Sequence, residues 1–234
     1  MQGSINRIIV SLVSISFLLI SCSNDKTPSA VHIMTIDTDI NQGLERYIQR
    51  GINQAQRHNA RAIVLKINTP GGSIDSTKRI VSQILASPIP IITWVGPSGS
   101  EAMSAGTFIT MSGHIAIMAP STTIGAATPI QSNGKDIEGA LGKKIMNSTA
   151  AFGRGLAEVR ERNTEWIERA VLDGTSASSK EALELGIIDY IASDIDEVLL
   201  KVDGINVQVI DDTSIKLDVF GHAEVINSMN FYER

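Results

Sequence analysis

The sequence predicts an α/β fold with parallel strands. Three observations carry that expectation: short β-branched runs recur along the chain, stretches of helical apolar spacing alternate with them, and glycine or proline marks the junctions. Residues 31–36, VHIMTI, read as the first strand. In GLERYIQRGINQAQRH, which follows, Leu44, Tyr47, Ile48, Ile52 and Ala55 recur at helical spacing and predict a helix with one apolar face. RAIVLKIN (61–68) is a second strand, TPGG (69–72) breaks it, and Ile74, Ile80, Val81, Ile84 and Leu85 share one face of a second helix. PIITWV (90–95) repeats the strand, and a short apolar segment to Met111 leads to another at HIAIMA (114–119). Ile145, Thr149, Phe152, Leu156 and Val159 set the stripe of a long helix from about Lys144 to Arg162. In VRERNTEWIERAV, the positions Trp166, Ile167, Ala170 and Val171 have the spacing of core or subunit contacts. SSKE (178–181) has a capping-box pattern before ALELG, Gly186 can end that helix, and IIDYI supplies a strand. Finally INVQVI (205–210) and SIKLDVF (214–220) alternate with period two across Asp211, Asp212 and Thr213, as a hairpin appended to the core would.

The start of the chain has a different character. Arg7 precedes an uncharged run from Ile8 to Ile20, and Ser21, Cys22 and Ser23 follow, which are the three parts of a secretory signal. The run of 13 residues falls short of the ~20 that a membrane-spanning helix needs. Residues 1–21 are therefore set aside as a signal peptide, and SNDKTPSA (23–30) reads as a short polar tether. The 234-residue chain carries a formal net charge of −5 with scattered Lys and Arg, so no nucleic-acid partner is expected. Cys22 is the single cysteine, which excludes an internal disulfide. No metal-ligand spacing, phosphate loop or dinucleotide fingerprint occurs, and no cofactor or metal is expected.

Acyl transfer needs a nucleophile, a base to take its proton, and donors aimed at the developing oxyanion. In SEAMSAGTF (100–108), Ser104 sits among small residues where a helix could begin. Backbone N–H groups at a glycine-rich turn or a helix N-terminus are the simplest oxyanion donors, and TPGG and SAG offer one of each. Each is by itself also what an ordinary turn or a structural serine looks like. The histidines are His32, His58, His114 and His222, and none lies close behind Ser104; His114, ten residues on, reads as an incidental strand-end residue. Asp75, Glu101 and Glu138 read as solvated charges.

Taken in order, NTPGGSIDSTKRIVSQILASPIPIITWVGPSGSEAMSAGTFITMSGHIAIMAPSTTIGAATPI (68–130), KKIMNSTAAFGRGLAEVRERNTEWIERAV and EALELGIIDYIA resemble the ClpP-class serine peptidases. They resemble more closely the membrane-associated NfeD-type branch, the stomatin-operon-type proteases, over residues 33–200. The resemblance implies a ClpP/crotonase-like fold, a repeated β-β-α superhelix, here with a C-terminal β-hairpin. It makes Ser104 the nucleophile and the backbone of Gly72 and Ala105 the oxyanion hole. Soluble ClpP enzymes place a histidine about two dozen residues after the serine, where this chain has Ala127 or its neighbours. The NfeD-type branch instead uses a lysine at the head of the long helix, which falls on Lys144, with Lys143 the competitor if the alignment slips by one residue. A lysine base must be neutral, so its pKa has to fall from about 10.4 toward 7 or 8, which burial in an apolar pocket can achieve. LISC (19–22) resembles a bacterial lipobox, in which Cys22 would be lipidated and become the mature N-terminus, and two or more acyl chains make such an anchor stable.

The expected chain thus has a lipoprotein signal peptide (1–21), a tether beginning at lipidated Cys22 (22–30), a ClpP-like serine peptidase domain (31–200) and a hairpin extension (201–234). The expected function is a membrane-anchored serine endopeptidase of the bacterial cell envelope, its domain outside the cytoplasm, cutting apolar segments of membrane-associated proteins with a Ser104–Lys144 dyad. The resemblance adds a stomatin-like membrane protein as substrate and a homo-oligomeric assembly. Longer NfeD-type proteins continue into several membrane spans and a small β-barrel, so anchoring here is expected at the N-terminus. Three other classes compete: a signal-peptide peptidase of the SppA type, a crotonase-type acyl-CoA enzyme, and a non-catalytic partner-binding module. The acyl-CoA reading would use the same pair of N–H groups but needs glutamates in the pocket and cytoplasmic CoA.

Overall fold

The computed structural model describes residues 29–131, 134–210 and 213–234; the signal segment and Cys22 lie outside them. In chain order, β1 (Val31–Ile36), α1 (Gln42–Arg57), β2 (Ala62–Ile67), α2 (Ile74–Leu85) and β3 (Ile91–Val95) alternate as the apolar patterning predicts. Then come β4 (Glu101–Met103), α3 (Ala105–Ser112), β5 (Ile115–Met118) and β6 (Thr123–Gly125). After these, α4 (Gly139–Val159), α5 (Thr164–Leu172), β7 (Ser176–Ser178), α6 (Ser179–Glu184) and β8 (Tyr190–Ile191) follow. The chain closes with α7 (Ile195–Val202), β9 (Asn206–Gln208), β10 (Ser214–Lys216) and β11 (Glu224–Asn227).

Six strands form the main sheet in the order β11-β1-β2-β3-β5-β8, and every pairing in it is parallel. A parallel sheet is covered on both faces, which is why β1, β2 and β3 are apolar almost throughout. Side-chain alternation divides them between two cores. Met34, Ile36, Ile63, Leu65, Ile67 and Val95 pack with the apolar faces of α1 to α5. Val31, Ile33, Val64, Ile92 and Trp94 pack on the opposite side with Val198, Leu199 and Val202 of α7 and with Val207, Leu217 and Val219 around the hairpin. The antiparallel β9–β10 hairpin is therefore the lid of the second core. A smaller sheet, β4-β6-β7, stands at the carboxyl ends of the main strands, and it carries the site described below.

The structure departs from the sequence reading at several places. The long helix begins at Gly139 rather than near Lys144 and ends at Val159, and Val159 is exposed rather than on the buried stripe. The break has a tertiary cause: Arg160 and Arg162 turn inward toward the end of α3, Glu161 takes a positive φ of 53°, and Asn163 caps α5 by accepting the Trp166 N–H at 2.8 Å. The apolar segment to Met111 is a helix, α3, buried at every position. IIDYI yields only the two-residue β8, because Asp189 is drawn off to the Ala116 N–H at 2.7 Å and to Arg162. The hairpin forms as expected, but the chain then returns through β11 to the edge of the main sheet beside β1. Glu233 and Arg50 fasten that return with two hydrogen bonds of 2.7 Å each, and Tyr47 donates its hydroxyl proton to the Asn227 carbonyl at 2.6 Å. The capping box at Ser178 and Glu181 is present, and Trp166, Ile167, Ala170 and Val171 are core residues.

Candidate active site

The site begins where β2 ends. Beyond Ile67 the chain stays extended between two neighbours. Thr69 donates its N–H to Glu101 O (2.8 Å) and accepts from Met103 N (3.0 Å) on one side. On the other, Ile40 donates to Gly71 O (2.7 Å) and Ser73 donates to Ile40 O (2.8 Å). In extended backbone successive N–H groups alternate sides. The N–H of Gly72, lying between the two groups bonded to Ile40, therefore faces away from Ile40, toward the β4 side. Gly71 and Gly72 have φ of +121° and +148°, which side-chain-bearing residues rarely adopt. A Cβ on Gly72 would collide with the Ile40 backbone, and one on Gly71 would lie 2.6 Å from the Cβ of Ser104. The TPGG turn is thus pressed directly against the serine.

Ser104 joins β4 to α3 at φ +52° and ψ −114°. Strain of this kind persists only where the surroundings over-determine it. Here the Ser104 N–H donates to Gly125 O of β6 (2.8 Å), and its carbonyl accepts from Thr107 N (3.0 Å). The Ser104 hydroxyl has no hydrogen-bond partner among the described residues, so it is available to a reacting group. Ala105 is the first residue of α3, and its N–H is one of those a helix leaves unpaired at its N-terminus, where the dipole favours negative charge. Ser104, its hydroxyl without a partner among the described residues, is thus followed directly by Ala105 at the head of α3, with Gly71 of the glycine turn packed against it and Gly72 next in that turn.

The far end of α3 is held by charge. Arg160 donates Nε–H to Ser112 O (2.9 Å). Arg162, buried, donates to Met111 O (3.1 Å) and Gly113 O (3.2 Å), and pairs with Asp189 at 2.9 Å. Two guanidinium groups thus collect the last carbonyls of the helix whose first N–H lies beside the nucleophile, complementing the dipole at that end. The Arg and Asn of the RNTEW segment, for which patterning supplies no role, are this anchor and the α5 cap. Burial and the Arg160 guanidinium push the pKa of His114 down to about 3, so its ring is neutral at physiological pH. Its Nδ1 accepts the Ile91 N–H at 3.0 Å, at the end of α3 remote from Ser104. Ala127 is buried and its N–H donates to Ala170 O (2.9 Å), so the strand position of a ClpP histidine is filled by packing.

Lys143 and Lys144 lie in the second turn of α4. Both lie exposed near the start of α4 and have no hydrogen-bond or ion-pair partner among the described residues. The helix crosses α3 further along, where Phe152 meets Phe108 at 5.5 Å between ring centroids and Gly153 has no room for a Cβ against Ile167. Asp75 and Glu138 are exposed as expected. A cavity of about 460 Å³ opens on the outer face of α1 among Arg46, Arg50 and Arg57, and none of Gly72, Ser104, Ala105, Lys143 and Lys144 lines it. Among the described residues no group of three His, Cys, Asp or Glu could hold a metal, and no helix is long and apolar enough to cross a membrane.

The chain is similar to known proteins over most of its length. Residues 30–212 match the family described as NfeD1b, N-terminal domain. The membrane-bound protease PH1510 of Pyrococcus horikoshii is 35% identical over 206 residues, covering 87% of this chain and 46% of that protein, so the chain spans less than half of that relative. A solved structure of the 1510-N membrane-bound stomatin-specific protease, a lysine-to-alanine mutant in complex with a substrate peptide, superposes with a TM-score of 0.81 at 32% identity. That match covers 88% of this chain and 95% of the other. A serine-to-alanine mutant of the same protease gives 0.80 at 32% identity over 87% of this chain and 99% of the other. The ClpP-like α/β fold expected from the sequence is the fold of this chain.

Proposed function

Because the chain belongs to the family of NfeD1b N-terminal domains, we propose that it is a membrane-associated serine endopeptidase in which Ser104 is the nucleophile. One observation carries the reading: a serine hydroxyl without a partner among the described residues sits on strained backbone at the head of a buried helix with a glycine turn packed against it, and we assign the Gly72 and Ala105 N–H groups as the oxyanion donors. Ser104 Oγ attacks the peptide carbonyl, the two N–H groups hold the oxyanion, and water releases the acyl group from the serine. The base we assign is Lys144, with Lys143 as its neighbour and competitor. It takes the Ser104 proton and passes it to the leaving amine. The lysine-to-alanine and serine-to-alanine mutants of the related protease support a serine–lysine pairing.

A lysine serves as a base only when neutral, and desolvation is what loosens its proton. The first turns of α4 are exposed, so the dyad requires that a bound peptide or a second copy of the chain cover them. The exposed Leu141 beside them, 63% accessible, and Ile130, 55% accessible, suit an apolar segment as that cover. The related protease is described as stomatin-specific, and we assign this chain a stomatin-like membrane protein as substrate on that basis. Its anchor would be the lipid on Cys22, holding a self-associating domain at the extracytoplasmic face of the envelope.

The test is cleavage of an apolar peptide panel by the full chain in detergent, comparing wild type with Ser104→Ala, Lys143→Ala and Lys144→Ala. Loss of cleavage in Ser104→Ala and Lys144→Ala, with Lys143→Ala active, supports the assignment. Cleavage that survives Ser104→Ala sinks it.

A further inference from the structure

We infer that Thr107, through its hydroxyl, is the positioning residue that holds the backbone of Ser104 in its reactive conformation; the inference rests on Ser104 being the nucleophile. The Thr107 side chain is fully buried one turn into α3. A threonine inside a helix ordinarily returns its hydroxyl proton to a carbonyl three or four residues earlier in its own helix. This one does not. Its Oγ1 lies 3.0 Å from Ala102 O in β4 and 3.0 Å from Gly125 O in β6, and it accepts the Gly125 N–H at 3.1 Å.

The Gly125 carbonyl is also the acceptor of the Ser104 N–H at 2.8 Å, while the Ser104 carbonyl accepts the Thr107 N–H at 3.0 Å. A closed ring of hydrogen bonds therefore runs from the nucleophile's N–H, through Gly125 and the threonine hydroxyl, back to the nucleophile's own carbonyl. Every backbone polar group of Ser104 lies on that ring, and the residue has φ +52°, a conformation that needs such enforcement. The ring is itself fixed. Gly125 sits at φ +132° with no room for a Cβ against Thr175 and Ser176, and Ala102 is locked by the bridge of β4 to Thr69. Thr107 thus ties the strand before the nucleophile, the helix after it and the strand opposite into a single body.

The experiment compares full-length wild type, Thr107→Val, Thr107→Ser and Ser104→Ala in detergent, at a temperature where circular dichroism shows each fully folded. Two readouts are taken: kcat and KM on the apolar peptide panel, and hydrogen exchange of the Ser104 amide. Valine preserves shape without the hydroxyl, and misplacement of a reacting group by about 1 Å costs on the order of 10²-fold in rate. The expected result is a kcat lowered by about that factor in Thr107→Val with KM little changed, faster exchange of the Ser104 amide in the same variant, and recovery of both in Thr107→Ser. Wild-type kcat and wild-type exchange in Thr107→Val overturn the inference, as does a Thr107→Ser variant as impaired as the valine. If wild type cuts nothing, or Ser104→Ala still cuts, the peptidase reading falls; the exchange of the Ser104 amide in the valine and serine variants then decides the clamp by itself.

Discussion

Replacing Arg162 with alanine tests whether α3 is held from its far end as its geometry indicates. The guanidinium is buried and donates to Met111 O at 3.1 Å and Gly113 O at 3.2 Å, with a third contact to Ile187 O at 3.4 Å that is too long to count for much. Truncation strands two buried carbonyls, each costing about 1 kcal/mol or more. The Asp189 side chain is 39% exposed, so solvent screens that pair and its loss adds less than about 1 kcal/mol. With the lost packing of the arginine stem, the sum is about 3–4 kcal/mol. For a domain of this size that lowers Tm by roughly 6–16 °C.

Urea unfolding followed by the fluorescence of the buried Trp94 and Trp166 reads the change directly. Arg154→Ala is the control. Its pair with Glu168 is shorter, 2.6 Å, but both side chains are about 40% exposed, so its removal should cost less than about 1 kcal/mol. If Arg162→Ala unfolds at the same urea concentration as Arg154→Ala, the guanidinium is not what anchors α3, and the account of the α4–α5 break fails with it.

Two further outcomes follow from the geometry. The His114 pKa is held down to about 3 by burial and Arg160, against 6.5 in the unfolded chain, so between those values the unfolded state binds a proton that the folded state does not. Its stability contribution is present above pH 6.5 and is lost as pH falls through that window, by about 1.4 kcal/mol per pH unit. His32, also lowered by burial, acts with the same sign. Urea midpoints of His114→Gln should accordingly fall less steeply with acid than those of wild type; parallel profiles would show that another group sets the acid limit. Gly71→Ala should abolish cleavage in a folded protein, because the new Cβ lies 2.6 Å from that of Ser104 at a φ of +121°. Gly155→Ala, with nothing within 4 Å on α4, should keep activity and gain about 0.5–1 kcal/mol of stability. Equal activity of the two variants in peptide cleavage would mean that the turn does not contact the reacting centre.

How much of this fold could be read in advance depended on which forces set each element. β1, β2 and β3 are legible because a strand covered on both faces has to be apolar throughout. β11 is not: an edge strand needs apolar residues on fewer sides, and EVIN leaves Ile226 65% exposed. β4, β6 and β7 have three residues each, too few to show a period, and exist because the strands beside them supply partners. The end of α4 carries no glycine or proline; it is imposed by two arginines whose acceptors lie about fifty residues earlier in the chain, at the end of α3, which no local pattern encodes.

The site divides along the same line. Its backbone half was readable because the turn and the elbow demand residue types: glycine at 71 and 72 for positive φ and close approach, and small residues around Ser104; the buried Thr107 hydroxyl, bonded across two strands, left no mark in the sequence. Its proton-transfer half was not, since whether a lysine can act as a base depends on what surrounds its nitrogen and not on its place in the sequence. In this chain the glycine turn packs against Ser104 at the head of α3, while Lys144 lies on an exposed helix turn. Under the proposed Ser104–Lys144 dyad, activity would depend on what covers the first turns of α4 rather than on a rearrangement of the backbone at Ser104.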